Sequence, residues 1–168
     1  MVTRALLLIM SFVLLLSFVA CDTGIETATD RTGVKADHDP VVGVNDSNNE
    51  MNEAMATARK TFPKFVENWK TLPNGNVSVK FALPTNDDSL EHIWFTPVKI
   101  TETEITGICG NDPARVPNLK LGDTRTFKRS ELTDWMILTG NKCYGGYTIR
   151  VLSKLEPENA PPFKFVDF

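Results

Sequence analysis

The sequence predicts an α+β fold in which an N-terminal helix packs on a curved antiparallel sheet of about six short strands. Two observations lead to this prediction. A helical pattern comes first, over residues 47–69, and a series of short strand patterns follows it as far as residue 152. A glycine pair inside the last strand would help the sheet to curl, so a small open barrel is the alternative.

The helix is predicted to begin at Ser47. Ser47 and Glu50 have the spacing of a capping box, in which each side chain satisfies a backbone donor at the helix start. Apolar side chains then recur every three or four residues: Met51, Met55, Ala58, Phe62 and Phe65. Pro63 disfavours helical geometry at the residue before it and lacks an amide hydrogen. The sequence therefore predicts a kink or break near Thr61, and an end near Trp69.

Six strands are predicted after the helix. The first covers residues 77–83, where apolar and polar residues alternate. The others are expected over residues 91–100, 105–109, 124–128, 134–138 and 142–152. Pro97 predicts an edge position or a bulge in the second strand, and Gly145-Gly146 predicts a bulge in the sixth. Gly140-Asn141 predicts a hairpin turn.

The single domain is expected to span residues 47–155, and a tail rich in proline and phenylalanine follows over residues 156–168. We expect three aromatic side chains to pin part of this tail to the domain: Phe163, Phe165 and Phe168.

The first 20 residues have the layout of a secretory signal peptide, with Arg4 before an apolar run and small residues before Cys21. The apolar run is short for a spanning helix, which needs about 20 apolar residues. Residues 16–21 resemble the lipobox of bacterial lipoproteins, although Phe18 stands where leucine is usual. This resemblance implies that Cys21 carries acyl chains such as palmitate and anchors the protein to a membrane. An ordinary secreted protein is the alternative.

Asp22 follows Cys21, and in lipoproteins that resemble this one, aspartate there favours an inner-membrane position that faces the periplasm. Residues 21–46 are polar and have no helical or strand period, so they are predicted to be a flexible tether. The formal net charge of −3 argues against nucleic acid as a partner. Cys109 and Cys143 could form a disulfide in an oxidising compartment if their Cα atoms lie within about 7 Å.

Several phrases occur in a familiar order: Met51–Ala56 with Ala58-Arg59, His92–Phe95, Gly107, Asn111–Pro113, Leu121–Asp123, Asp134–Met136 and Gly145–Arg150. Together they resemble the bacterial domain of unknown function 2314, whose members include short periplasmic lipoproteins of the YegJ type. The Asp-Trp-Met and Gly-Gly-Tyr-Thr-x-Arg phrases are the most specific. The resemblance covers about residues 51–152 and agrees with secretion. It implies no activity, cofactor or catalytic residue.

No catalytic or metal-binding constellation is evident in the sequence. His92 and Cys109 could act as base and nucleophile, but Cys109 lies in an apolar strand, whereas an activated thiolate needs an electropositive, partly exposed setting. His92 also lacks a second ligand at a familiar metal-binding spacing. Gly145-Gly146 is not expected to form a phosphate loop, because no helix is predicted to follow it.

The most informative cluster combines charge with aromatic rings. Asp134 and Arg150 are predicted to form an ion pair across the last hairpin, which would specify register more than stability. The alternative is a binding surface of the residue types that dominate interfaces: Trp94, Trp135, Tyr147 and Arg150. A basic patch is expected to be a solvated strand face, with an anionic partner as the alternative: Lys120, Arg125, Lys128 and Arg129.

These observations favour a non-enzymatic binding module for an envelope protein or polymer, carried by a periplasm-facing lipoprotein. The alternative function is a small envelope hydrolase with its site near His92. No cofactor is expected.

Overall fold

The structure is a computed structural model that describes residues 49–72 and 75–168. The signal peptide, the acylation site at Cys21, the tether and the capping residue Ser47 lie outside the described residues. The described residues form two α-helices and seven strands, in this order: α1 (Asn49–Asn68), β1 (Asn76–Pro84), β2 (Leu90–Ile100), β3 (Glu104–Cys109), β4 (Thr124–Lys128), β5 (Leu132–Thr139), β6 (Lys142–Gly145), α2 (Tyr147–Leu155) and β7 (Lys164–Val166).

The strands form one sheet in the order β4-β3-β2-β1-β5-β6-β7. Neighbouring strands are antiparallel, except for β6 and β7, which are parallel. The α+β fold with an N-terminal helix on a sheet is therefore confirmed. The sheet is open and does not close into a barrel, because β4 and β7 lie at opposite edges.

Helix α1 packs on one face of the sheet through the apolar stripe that its sequence predicts. Ala58, Phe62 and Phe65 are fully buried and join a core cluster with residues of β1, β2, β3 and β5. The ring centroid of Phe65 lies 5.6 Å from that of Trp135. Full burial of a phenylalanine side chain contributes about 1.5–3 kcal/mol, so this stripe is what holds α1 on the sheet.

Pro63 lies inside α1, and the helix continues through it from Asn49 to Asn68. The sequence predicted a kink or a break near Thr61, and the helix has no break there. The indole nitrogen of Trp135 donates to the carbonyl oxygen of Ala58 at 3.0 Å and contacts the Thr61 hydroxyl oxygen at 3.2 Å. These bonds from the sheet hold the turn before Pro63, where the proline removes one intrahelical hydrogen bond.

The first five strands lie where the sequence predicts them, within a few residues at each end. Pro97 is part of an inner strand, and the pairing of β2 with β3 shifts register between Pro97 and Lys99. The bulge alternative is therefore confirmed for Pro97, and the edge alternative is wrong. Gly140-Asn141 joins β5 to β6, since Thr139 pairs with Lys142. A short 3-10 turn over Arg129–Glu131 joins β4 to β5.

The sixth predicted strand is wrong beyond Gly145, because α2 begins at Tyr147. Gly145 and Gly146 have φ angles of 76° and 63°, which turn the chain out of β6. A Cβ atom on Gly145 would lie 2.3 Å from the carbonyl oxygen of Trp135. Glycine is required there for its positive φ and for this close approach.

The two remaining cysteines are free and buried. Cys109 lies in β3 and Cys143 in β6, and the strands β2, β1 and β5 lie between them. The disulfide that the sequence allowed between Cys109 and Cys143 is therefore not formed. Across residues 49–72 and 75–168, no helix is long and apolar enough to span a membrane.

Candidate functional site

Asp134 belongs to β5, contacts the first residues of α2 and is completely buried. Its carboxylate accepts hydrogen bonds from the amides of Trp135 (2.8 Å), Tyr147 (3.1 Å) and Thr148 (2.8 Å). The Thr148 hydroxyl donates a further bond of 2.6 Å. Asp134 therefore caps α2 from a distant strand, where a negative charge also favours the helix dipole.

Lys80 completes this arrangement from β1. Its Nζ atom donates to the Thr148 hydroxyl oxygen at 2.8 Å and lies 4.5 Å from the centroid of the Trp94 ring. Burial raises the pKa of Asp134 above its ordinary value, whereas the charge on Lys80 and the hydrogen bonds from Thr148 oppose that shift. The residues Lys80, Asp134, Gly145, Gly146 and Thr148 are called the junction below.

The junction is a structural element. Asp134, Thr148 and Lys80 are 0%, 2% and 6% exposed, so a ligand cannot reach them. No helix was predicted after Gly145-Gly146, and a phosphate loop was excluded for that reason. This prediction is wrong, because α2 begins at Tyr147. The first amides of that helix nevertheless bind Asp134, which already supplies the anion.

Arg150 forms its ion pair with Asp167 and not with Asp134, so the ion pair predicted between Asp134 and Arg150 is wrong. Its guanidinium donates to the carbonyl oxygens of Gly145 and Val166, each at 3.1 Å. It also forms a salt bridge of 3.1 Å with Asp167, whose side chain is 76% exposed. The guanidinium carbon lies 5.0 Å from the ring centroid of Tyr147 and 5.2 Å from that of Phe165.

A cleft of about 400 Å³ opens beside Arg150. It lies between α1, the start of α2 and the chain after β7, and we call it the C-terminal cleft. Its main lining residues are Thr61, Lys64, Trp135, Tyr147, Arg150 and Phe168. The Phe168 ring stacks on Tyr144 with a centroid distance of 4.4 Å.

The predicted binding surface is only partly assembled. Tyr147 and Arg150 line the C-terminal cleft together, whereas Trp135 is 1% exposed and lies at its base as a core residue. Trp94 lies on the other face of the sheet, because it pairs with Lys80 while Trp135 pairs with Val79. Phe168 pins the end of the tail as predicted, and its ring stacks on Tyr144 and Trp135 at the cleft, a position that no local pattern in the sequence indicates.

A second cleft of about 630 Å³ lies between α1, the β2–β3 turn and the chain before β5. Arg129 stacks over the Phe62 ring there, at 4.8 Å from its centroid. Glu102 and Glu104 line the same cleft, so its charge is mixed. Two members of the predicted basic patch line this cleft, Lys128 and Arg129, and Arg125 instead donates to the carbonyl of Asn118.

The candidate catalytic residues do not converge in the part of the chain that the structure describes. His92 is exposed, its Nδ1 atom lies 3.4 Å from the Thr133 hydroxyl oxygen, and it lines neither cleft. Burial raises the pKa of the Cys109 thiol, and raises the pKa of the Cys143 thiol to about 12. Both thiols are thus poor nucleophiles at neutral pH. Among the described residues, no three histidine, cysteine or acidic side chains could share a metal ion.

Comparison with known proteins identifies the family. A family model matches residues 48–163. It describes an uncharacterised protein family conserved in bacteria, the domain of unknown function 2314. The chain belongs to this family. An uncharacterised protein of Escherichia coli strain K12, YegJ, is 34% identical over 108 residues, which cover 64% of this chain and 70% of YegJ. No solved structure matches the chain significantly.

A second relative is a predicted ankyrin repeat protein of Neisseria meningitidis serogroup B. It is 27% identical over 118 residues, which cover 65% of this chain and 47% of that protein. The matched part is therefore less than half of that relative.

The two phrases of the sequence that resemble the family most specifically meet in space. Asp134-Trp135-Met136 contributes the cap of α2, and Gly145–Arg150 contributes the turn, the start of α2 and one wall of the C-terminal cleft. The family match ends at residue 163. The strand β7 and Phe168 thus lie beyond the matched segment, whereas most of the cleft wall lies within it.

Proposed function

We propose that this member of the domain of unknown function 2314 family is a non-enzymatic binding module, and that the C-terminal cleft is its binding surface. The observation that carries this proposal is the position of Arg150. Its guanidinium lies over two aromatic rings and donates to a backbone carbonyl of a neighbouring segment. Tyrosine, tryptophan and arginine are the residues that contribute most to binding at interfaces.

We also propose that the domain is displayed in the cell envelope. The lipobox-like residues before Cys21 support a lipid anchor, and the polar residues 21–46 support a tether long enough to hold the domain away from the membrane. Asp22 supports an inner-membrane position facing the periplasm. The partner in this setting is an envelope protein or polymer.

The experiment is capture of partners from envelope extract by the full chain, in the wild type and in two variants. Tyr147→Ala removes a ring from the cleft. Arg125→Ala, at the opposite sheet edge, is the matched control, because it also removes a large side chain. Circular dichroism and thermal unfolding check that each variant is folded.

We expect a specific partner to be captured by the wild type and by Arg125→Ala, and to be lost with Tyr147→Ala. Equal capture by the two variants, or no partner for the wild type, would contradict the proposal. The anchor has a separate test, since Cys21→Ser should move the protein from the membrane fraction to the soluble fraction of the envelope.

A further inference from the structure

We propose that the C-terminal cleft recognises an extended polypeptide segment, which adds to the sheet as a strand parallel to β6. In this proposal, residues 164–168 of the chain itself occupy that place until a partner segment replaces them. The inference rests on the binding role proposed above, and it names the class of partner and the way in which access is regulated.

The first observation concerns the backbone. In β7, Lys164, Phe165 and Val166 pair with Lys142, Cys143 and Tyr144 of β6, and the Lys164 amide donates to the carbonyl oxygen of Asn141 at 2.7 Å. An edge strand presents unpaired amide and carbonyl groups, and extended peptides bind such edges by adding a strand. Without β7, β6 would be this kind of edge.

The second observation is a clamp on the backbone of the occupying segment. Arg150 donates to the carbonyl oxygen of Val166 at 3.1 Å, and Lys64 donates to the main-chain oxygen of Phe168 at 3.3 Å. Both acceptors are main-chain atoms. Any extended segment that follows the same path can accept these two bonds, whatever its side chains are.

The third observation supplies selectivity. Phe165 lies against the Arg150 guanidinium and close to Gly146, where a built Cβ atom would be 3.3 Å from its ring. Phe168 stacks on Tyr144 at 4.4 Å. These two positions accept aromatic rings three residues apart. Asp167, which lies between them, is largely exposed, so its salt bridge adds little.

The fourth observation is that the occupying segment is held lightly. The strand β7 has three residues, none of them fully buried, and Phe168 is 42% exposed. The family match ends at residue 163, before this segment begins. A partner segment competes with an attached one, so its apparent affinity rises when the attached segment is weakened.

The test uses the full chain and a fluorescent synthetic peptide with the sequence of residues 164–168, Lys-Phe-Val-Asp-Phe. The control peptide has alanine in place of both phenylalanines. Fluorescence anisotropy gives the affinity for the wild type and for the double variant Phe165→Ala/Phe168→Ala. Since each aromatic anchor is worth about a factor of ten, we expect the double variant to bind the peptide at least about tenfold more tightly than the wild type.

A locked variant tests the same point without weakening the fold. Lys142 and Lys164 are exposed neighbours across the β6–β7 ladder, where strands lie about 4.8 Å apart. Lys142→Cys/Lys164→Cys should therefore form a disulfide that fixes β7 in place. We expect the oxidised form not to bind the peptide, and the reduced form to bind it as the wild type does.

Equal binding of the control peptide, or no gain of affinity in a folded double variant, would overturn strand addition. Exchange of residues 164–168 between two copies in a dimer would overturn it too, because the occupant would then be a second copy. Capture of an envelope partner by the oxidised locked variant would refute strand addition and leave the binding role intact. Loss of capture in Tyr147→Ala alone supports only the binding role.

Discussion

The junction and the C-terminal cleft are neighbours in the sequence, and they use their polar groups in opposite ways. In the junction, Asp134 is enclosed, and four donors from residues 135, 147 and 148 satisfy its carboxylate. In the cleft, Arg150 is part-buried and donates to a segment that is itself half exposed. Enclosed and fully bonded groups specify a fold, whereas accessible groups with replaceable partners can recognise another molecule.

The first turn of α2 contributes side chains to both regions. Thr148 faces the buried carboxylate, whereas Tyr147 and Arg150 line the cleft. Substitutions within the phrase Gly145–Arg150 should therefore separate into two classes, one that unfolds the domain and one that changes binding.

The largest effect is expected for Asp134→Ala. This change leaves three amides without their acceptor and Lys80 without its nearby negative charge. Removal of one member of a buried charged network costs about 3–5 kcal/mol, and we expect the free energy of unfolding to fall by that amount. Urea denaturation followed by circular dichroism measures it. Asp167→Ala is the control in the cleft and should cost under about 0.5 kcal/mol. Similar losses of unfolding free energy in the two variants would contradict the difference between the junction and the cleft.

A smaller but sharp effect is expected for Gly145→Ala. The added Cβ would collide with the carbonyl oxygen of Trp135 at 2.3 Å, in addition to the strain of a φ angle of 76°. Gly140→Ala is the matched control, because its φ angle of 57° is also positive while nothing lies within 4 Å of the Cβ position. We expect about 1 kcal/mol for the control and about 2–4 kcal/mol for Gly145→Ala, where the collision adds to the strain. Equal losses of stability in thermal unfolding would contradict this prediction and show that Trp135 shifts to make room for the added Cβ atom.

In the cleft, Phe168→Ala should lower the free energy of unfolding by only about 1 kcal/mol, because the ring is part-exposed and mainly stacks on Tyr144. Urea denaturation measures this loss, and the secondary structure should be unchanged. A loss above about 3 kcal/mol would place Phe168 in the core and contradict the description of the segment as lightly held.

The smallest effect concerns Asp87, an exposed carboxylate that contrasts with the buried Asp134. Hydrogen bonds from the hydroxyls of Thr85 and Ser89 lower the pKa of Asp87 from 3.8 to about 2. Because the pKa of the folded state is depressed, the resulting stabilisation is present above pH 3.8 and is lost as the pH falls through about 2. Titration of the carboxyl signal by NMR should give this pKa, and Thr85→Val should raise it. A midpoint near 3.8 in the wild type would contradict the loop geometry.

Much of the fold could be predicted from the sequence, because it depends on local patterns. The apolar period of α1 and the alternation in β1 determine which faces are buried. Gly140-Asn141 marks the hairpin between β5 and β6. Pro63 misled the prediction only by suggesting a break. The contacts of Trp135 with the turn before Pro63 come from a strand more than 70 residues later, and no local pattern shows them.

The second helix was missed because its own residues favour a strand. Thr148, Ile149 and Val151 are β-branched, a feature that raises strand propensity. Helix α2 forms because Asp134, 14 residues before Thr148, accepts its first amides. The cleft could not be predicted for the same reason. Arg150 donates to Val166, and this contact depends on the parallel pairing of β7 with β6.

Native-state hydrogen exchange of two amides compares the regions most directly. The Thr148 amide binds Asp134 in the junction, and the Lys164 amide binds Asn141 at the start of β7. We expect the Thr148 amide to exchange only through global unfolding, and the Lys164 amide to exchange through local opening with a much lower free energy. Equal protection of the two amides would contradict the claim that the junction specifies the fold while the cleft can release its own segment.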